Sequence, residues 1–183
     1  KVRYVGEAFA LAVADSRYIA EDALELIEAE LIPLPPLAEA ETALATGAIL
    51  IHEHLGRNVA AFLHTKKGDG AAAMDACPNR LSRRFVHHRY AAMPMETRGV
   101  VAEYDGRTDT LTVWSSTQIV HWVRREISTA LDMPEERIRC IAPDVGGGFG
   151  GKGHVYPEDI LVAWLAKKLD RPVKWVEDRH EHI

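Results

Sequence analysis

Cysteine is scarce: Cys77 and Cys140 are the only two in 183 residues. Two thiols so far apart form neither a CxxC metal pair nor a disulfide framework, and they fit a reducing compartment with both sulfurs buried and inert. No apolar run approaches the roughly 20 residues a membrane-spanning helix needs, and no secretory leader pattern is visible. A cytoplasmic location is expected on these grounds, with export as the alternative. Basic charge is also short: 22 Lys and Arg stand against 27 Asp and Glu, a formal net charge of -5. Without a clustered basic footprint, nucleic acid is excluded as a partner. Aromatics make up 7% of the chain, and Trp114, Trp122, Trp164 and Trp175 are expected in the core. No repeat or low-complexity tract is present.

Glycine, by contrast, is concentrated. The stretch "DVGGGFGGKGHVYP" at positions 144–157 has glycine at six of its first ten residues. Each glycine gives up more backbone entropy on folding than any other residue. Consecutive N–H groups without Cβ atoms can converge on an oxygen-rich ligand such as phosphate, carboxylate or a metal-oxo group. Lys152 either adds positive charge for a phosphate or extends to solvent. Phe149 is either an anchor for the loop or a pocket wall. The spacing disfavours the common phosphate loops. Gly146, Gly151 and Lys152 match GxxxxGK, but residue 153 is Gly, so the metal-binding hydroxyl of a Walker loop is missing. Gly146, Gly148 and Gly151 match GxGxxG, yet four residues intervene before a helix opens at Pro157. A turn with no ligand remains open on composition alone.

The surrounding pattern alternates strands and helices. Residues 2–5 and 9–14 read as strands. A helix follows over 14–31, with Asp15 or Ser16 as N-cap and Ile19, Ala23, Leu24, Ile27 and Leu31 as its apolar stripe. "IPLPPL" at 32–37 ends it. Residues 38–75 read as a long connection with a short strand at 48–52, which marks a change of domain. Residues 84–88 read as a strand, and the run 99–117 as a hairpin turning at 105–109. An amphipathic helix over 118–133 carries Val120, Val123, Ile127 and Leu131 on one face. A short helical start at Pro134, a strand at 137–143, a helix from Pro157 and a strand at 172–178 complete the pattern. Both ends fall in or beside strand-like runs, so a piece of a longer polypeptide is expected.

Several stretches together carry a family resemblance over nearly the whole chain. "APDVGGGFGGK", "PMETRGVVAEYD", "STQIVHWVR" and "RPVKWVEDRHEH" occur in the order found in the molybdenum-binding large subunits of the xanthine oxidase family, and "VRYVGEAFALAVADSRYIAEDALELIEAE" resembles the preceding hammerhead domain. That family includes xanthine dehydrogenases, aldehyde oxidoreductases, aerobic carbon monoxide dehydrogenases and N-heterocycle hydroxylases. The resemblance implies an α+β fold: the C-terminal part of an α/β hammerhead domain at 1–37, a linker at 38–75, and the truncated start of a molybdenum cofactor-binding α/β domain at 76–183. It implies a molybdopterin cofactor, as the cytosine dinucleotide, held by Gln118, Gly147, Gly148, Phe149, Gly150, Gly151 and Lys152. Gln118 would face the apical oxo ligand, and the amides of Phe149, Gly150 and Gly151 the metal's oxygens and the dithiolene. On this view the glycines keep Cβ atoms clear of the cofactor.

The implied reaction is hydroxylation or dehydrogenation of a small substrate with water-derived oxygen. Electrons would leave through 2Fe-2S and FAD on partner subunits or domains. The family's base, a glutamate near the end of the full subunit, has no counterpart here, so no catalytic residue is assigned and the chain alone is expected to be inactive. Many xanthine enzymes carry Glu where this chain has Gly153, which argues against purine substrates. The run 155–179 is closer to the carbon monoxide dehydrogenase branch. The other class of function is a non-catalytic module that uses the glycine loop for an anion or nucleotide, or for assembly.

The remaining candidates have plainer readings. The histidines at 52, 54, 87, 88, 180 and 182 lack zinc-site spacing and read as solvated. Glu96 is a catalytic carboxylate by composition, and a hydrogen-bonding loop residue on the simpler reading. His121 and Arg124 follow Gln118 on one helix and face either a ligand or solvent.

Overall fold

The computed structural model describes residues 1–182 and divides the chain into two compact units, Lys1–Phe85 and Val86–Ile183. The first unit has three short helices: α1 (Arg17–Glu25), α2 (Ala40–Ala43) and α3 (Gly70–Ala76). Helix α1 starts where Ser16 Oγ accepts from the Ile19 amide at 3.3 Å, and α3 where Asp69 Oδ1 accepts from the Ala72 amide at 3.1 Å. Helix α1 stops at Glu25, short of residue 31, because its stripe meets no buried surface: Ile19, Leu24, Ile27 and Leu31 are all exposed. An isolated helix gains too little from propensity to extend further.

No strand forms among the described residues of this unit, against the expectation for 2–5, 9–14 and 48–52. A strand is a pairing, and Val5, Phe9, Leu11 and Val13 find neither a ladder nor a core within it. At 48–52 two backbone groups are taken by one side chain. Asn58 accepts from the Ile51 amide at 3.0 Å and donates to the Ile49 carbonyl at 2.8 Å. Residues 84–88 likewise lack a partner strand.

The second unit is built on a four-stranded mixed sheet in the order β3-β2-β1-β4. Strands β1 (Gly99–Asp105) and β2 (Thr110–Ser115) form the expected hairpin, with Ala102 opposite Val113. The turn is fixed by Asp109, whose left-handed backbone is held by a 2.9 Å bond from the Tyr104 hydroxyl. Helix α4 (Val120–Leu131) then leads, through a 3-10 turn at Glu135–Arg137, to β3 (Ile138–Ile141), which pairs parallel to β2. Helix α5 (Pro157–Leu169) returns to β4 (Val173–Val176), antiparallel to β1. A last turn, α6 (Arg179–His182), follows.

The core lies between the sheet and the two long helices. Val100, Ala102, Leu111, Val113 and Ile138 from the strands meet Val123, Ile127, Val162, Ala163 and Ala166 from α4 and α5. Each large side chain buried there contributes about 1.5–3 kcal/mol relative to exposure. Alternation in β2 buries Leu111, Val113 and Ser115 on one face, so the polar Ser115 hydroxyl needs a partner. It donates at 2.7 Å to Asp159 Oδ1, while Oδ2 of the same carboxylate accepts from the Tyr156 amide at 3.1 Å and starts α5. Burial pushes the Asp159 carboxyl up, against the pull of these two bonds.

Two expectations about packing need correction. Trp122 and Trp164 are exposed, because α4 and α5 turn their smaller aliphatic residues to the sheet. Cys77 is exposed as well, in the first unit, where no apolar core forms to cover it.

Candidate functional site

The site follows from the pairing of β2 and β3. The two strands run parallel, so their C-terminal ends emerge at the same edge of the sheet. From the first comes the segment Ser116, Thr117, Gln118; from the second comes the glycine loop. Crevices at the C-terminal ends of parallel strands are where such sheets usually receive ligands.

Four contacts join the two segments. The Gln118 amide donates to the Lys152 carbonyl at 2.9 Å, and the Thr117 hydroxyl donates to the same oxygen at 3.3 Å. Gln118 Oε1 accepts from the Gly150 amide at 3.1 Å. The fourth contact is gathered by Glu96, just before β1. Its Oε2 accepts from the Ser116 hydroxyl at 2.7 Å, the Gly146 amide at 2.8 Å and the Lys152 ammonium at 2.6 Å. Burial raises the Glu96 carboxyl, but those three donors outweigh it and hold the group below the ordinary glutamate range. The simpler reading of Glu96, a loop hydrogen-bonder, is the observed one.

Lys152 does not extend to solvent. Its side chain is fully buried, and its ammonium is committed to Glu96. A buried ammonium needs such a counter-charge, because desolvating an unpaired ion is costly.

Part of the glycine loop answers to the protein's own side chains. A Cβ on Gly146 would stand 2.6 Å from Glu96 Cβ, and one on Gly148 2.5 Å from Gln118 Oε1. The protein's own side chains therefore occupy the space beside these glycines. Gly147 and Gly150 are required by conformation, at φ 96° and 88°. Phe149 adopts a left-handed backbone at φ 49°, an outlier for a bulky residue that costs on the order of 1–3 kcal/mol. The residue is 78% exposed, so core packing does not compensate.

The donors left over decide what the loop can hold. The amides of Gly147, Gly150, Gly151 and Gly153 are spent on Val145 O, Gln118 Oε1, Gly148 O and Gly150 O. Among the described residues, the amides of Gly148 and Phe149 and Nε2 of Gln118 have no hydrogen-bond partner. Because Oε1 of Gln118 is fixed on Gly150, its Nε2 faces away from that amide. These neutral, positioned donors suit a group rich in oxygen, and a molybdopterin centre with oxo ligands fits them. A groove of about 340 Å³, lined in part by Ile119, Trp122, Gly153 and His154, opens beside the loop's far end.

Sequence reasoning missed Ser116, Thr117, Pro94 and Ala92. The first two adjoin Gln118 in the quoted stretch, and a Ser-Thr pair at a strand end is a recognisable source of side-chain bonds to loop backbone. Of the candidates on α4, Arg124 pairs with Glu135 at 2.7 Å and His121 is exposed. Among the described residues no group of three His, Cys, Asp or Glu side chains could hold a metal ion. His182 is not solvated: its two ring nitrogens meet Glu177 and the Ala92 carbonyl.

Comparisons with known proteins agree with this geometry. The sequence model of the molybdopterin cofactor-binding domain matches residues 51–183. The chain is 41% identical over its whole length to the nicotine 6-hydroxylase large subunit of Paenarthrobacter nicotinovorans, of which it covers 22%. It is 35% identical over its whole length to the carbon monoxide dehydrogenase large chain of Hydrogenophaga pseudoflava, of which it covers 24%. Among solved structures, quinoline 2-oxidoreductase from Pseudomonas putida 86 superposes with a TM-score of 0.79 at 40% identity, over 92% of this chain and 21% of that one. The chain thus spans under a quarter of the relatives it matches. With a sheet whose parallel ends present Gln118 and the glycine loop together, the chain belongs to the molybdopterin cofactor-binding domain family of molybdenum hydroxylase large subunits.

Proposed function

We propose that this chain is the cofactor-cradling part of the catalytic subunit of a molybdopterin-dependent oxidoreductase. The observation that carries the reading is the lock between Gln118 and the loop: Oε1 held by the Gly150 amide, with Gly148 bare beneath it. That lock leaves Gln118 Nε2 and the Phe149 and Gly148 amides as donors toward the cofactor's oxygens. Gly147, Gly150 and Gly151 shape the loop. Lys152 acts through Glu96 and through its own carbonyl, not through a free ammonium. When bound, the cofactor supplies two-electron oxidation of a substrate with oxygen taken from water. The residues of this chain orient it, and as fixed neutral dipoles they stabilise added negative charge without reorganising.

The similarity to subunits named for nicotine and carbon monoxide supports a small substrate of the N-heterocycle, aldehyde or carbon monoxide type. Gly153 offers no side chain for a purine, and a Cβ there would meet the Gly150 carbonyl at 3.1 Å. Residues 1–37 are the end of a hammerhead domain in this reading, and 2Fe-2S and FAD partners receive the electrons. The cofactor is the cytosine dinucleotide form.

The test is molybdenum and pterin analysis of the full-length natural protein, native and Gln118→Ala. Stoichiometric metal and pterin in the native protein, with a marked loss in the variant, is the expected result. Native protein matured with its cofactor machinery yet free of both would refute the reading. The 183-residue chain alone is expected to show no dehydrogenase turnover, and measurable turnover would overturn its assignment as an incomplete catalytic unit.

A further inference from the structure

Segment 92–96 lies against the glycine loop, and every second residue of it meets one glycine. A Cβ on Gly151 would stand 3.1 Å from Ala92 Cβ, one on Gly147 3.1 Å from Pro94 Cβ, and one on Gly146 2.6 Å from Glu96 Cβ. Alternation of this kind belongs to a chain whose successive side chains point to opposite sides. The segment is a strap that moulds the loop, yet it belongs to no strand or helix.

What fastens the strap comes from beyond β4. Arg179 Nη2 donates to the carbonyl oxygens of Pro94 at 2.8 Å and Met95 at 3.1 Å. His182 Nε2 stands 2.6 Å from the Ala92 carbonyl, and its Nδ1 2.9 Å from Glu177 Oε2. Glu177 in turn takes the Arg98 amide at 2.9 Å and its Nε at 2.7 Å. The strap is therefore held from Ala92 to Arg98 by one short stretch, 177–182. Stability alone is a poor reason for Arg179, because its Nη1 is buried with no partner among the described residues. A buried donor without a partner is destabilising, since its lost hydration is not replaced.

We propose that Arg179 and His182 are positioning residues for the cofactor cradle, fastening the carbonyls of Ala92, Pro94 and Met95 so that the strap keeps Gly146, Gly147 and Gly151 in register with Gln118. The inference rests on the cofactor reading above. It assigns a role to the last histidine-rich turn, which the sequence left as solvated.

The experiment uses the full-length natural protein matured with its cofactor. Arg179→Ala, Arg179→Lys, His182→Ala and the core control Val123→Ala are compared for unfolding midpoint and for molybdenum and released pterin per protein. Arg179→Ala is expected to carry about tenfold less of both, the scale at which outer partners act on a metal site. Arg179→Lys, whose ammonium donates to the same carbonyls, restores most of the loss. Val123→Ala lowers the midpoint but keeps its cofactor. Native cofactor content in Arg179→Ala overturns the proposal, as does an equal loss in Val123→Ala at a matched midpoint. Where Arg179→Ala does not fold, soluble His182→Ala decides: reduced content supports the role and native content overturns it. Native protein lacking both molybdenum and pterin would instead sink the cofactor reading and this inference with it.

Discussion

Gly148→Ala is a small change with a calculable conflict. Residue 148 is buried and does not have a left-handed backbone, so alanine is tolerable there in conformation. The obstacle is Gln118. The new methyl would lie 2.5, 2.7 and 3.0 Å from its Oε1, Cδ and Cγ. Favourable carbon contacts lie at about 3.5–4.0 Å, so the side chain must leave. Gln118 is exposed and free to swing, which keeps the cost low. What is lost is its bond to the Gly150 amide, a net of about 0.5–1.5 kcal/mol. Replacing glycine by alanine also stabilises by about 0.4–1 kcal/mol through the unfolded chain. The expected net is a loss of about 1 kcal/mol or less in the native background. In a Gln118→Ala background the conflict is gone, so the same change should be neutral or stabilising. A double-mutant cycle by chemical denaturation of the full-length protein measures both. Cofactor content should fall in Gly148→Ala about as far as in Gln118→Ala, with no further fall in the double variant. An equal stability cost in both backgrounds would refute the reasoning, since the strain would then lie outside Gln118.

Three further outcomes follow from the same contacts. Lys152→Met removes the buried ammonium and leaves Glu96 with only the Gly146 and Ser116 donors. Because the Glu96 side chain is 40% exposed, the expected loss is about 1–3 kcal/mol, at or below that of a fully buried pair, and denaturant midpoints check it. Burial raises the Glu177 carboxyl, but its bonds from Arg98 and His182 outweigh this and hold it below the ordinary value of 4.5. Its stability contribution is therefore present above pH 4.5 and lost as pH falls through the lower folded value. Glu177→Gln should be less stable than native near neutrality, with the gap closing below pH 4.5, and parallel stability curves across that range would count against it. Burial, with Asp159 nearby, pushes the Cys140 thiol up to about 12. At pH 8 it should resist iodoacetamide until the protein is unfolded, as mass spectrometry would show.

The second unit was legible because its elements carry their own signals. The hairpin has its turn chemistry, α4 its stripe and α5 its proline start. The strands of the first unit were misread for the opposite reason. Their alternation is real in 9–14, but a ladder requires a partner that the sequence pattern does not specify. The site was legible in part. Glycine density and Gln118 could be found by motif. The packing of Glu96, Pro94 and Ala92 against three of the glycines could not, because they meet across 50 residues or more of chain. The burial of Lys152 was hidden for the same reason: a lysine beside a glycine loop looks like a ligand until its counter-ion is located.

The hairpin turn at 106–109 closes the end of β2 opposite to the one that feeds Gln118. With six residues between them at about 3.3 Å each, roughly 20 Å separate the two ends. Arg107 there is exposed, and its side chain reaches no further than Asp105. A fluorophore or affinity tag anchored at that turn would report on the unit from a distance, leaving the cradle chemically untouched.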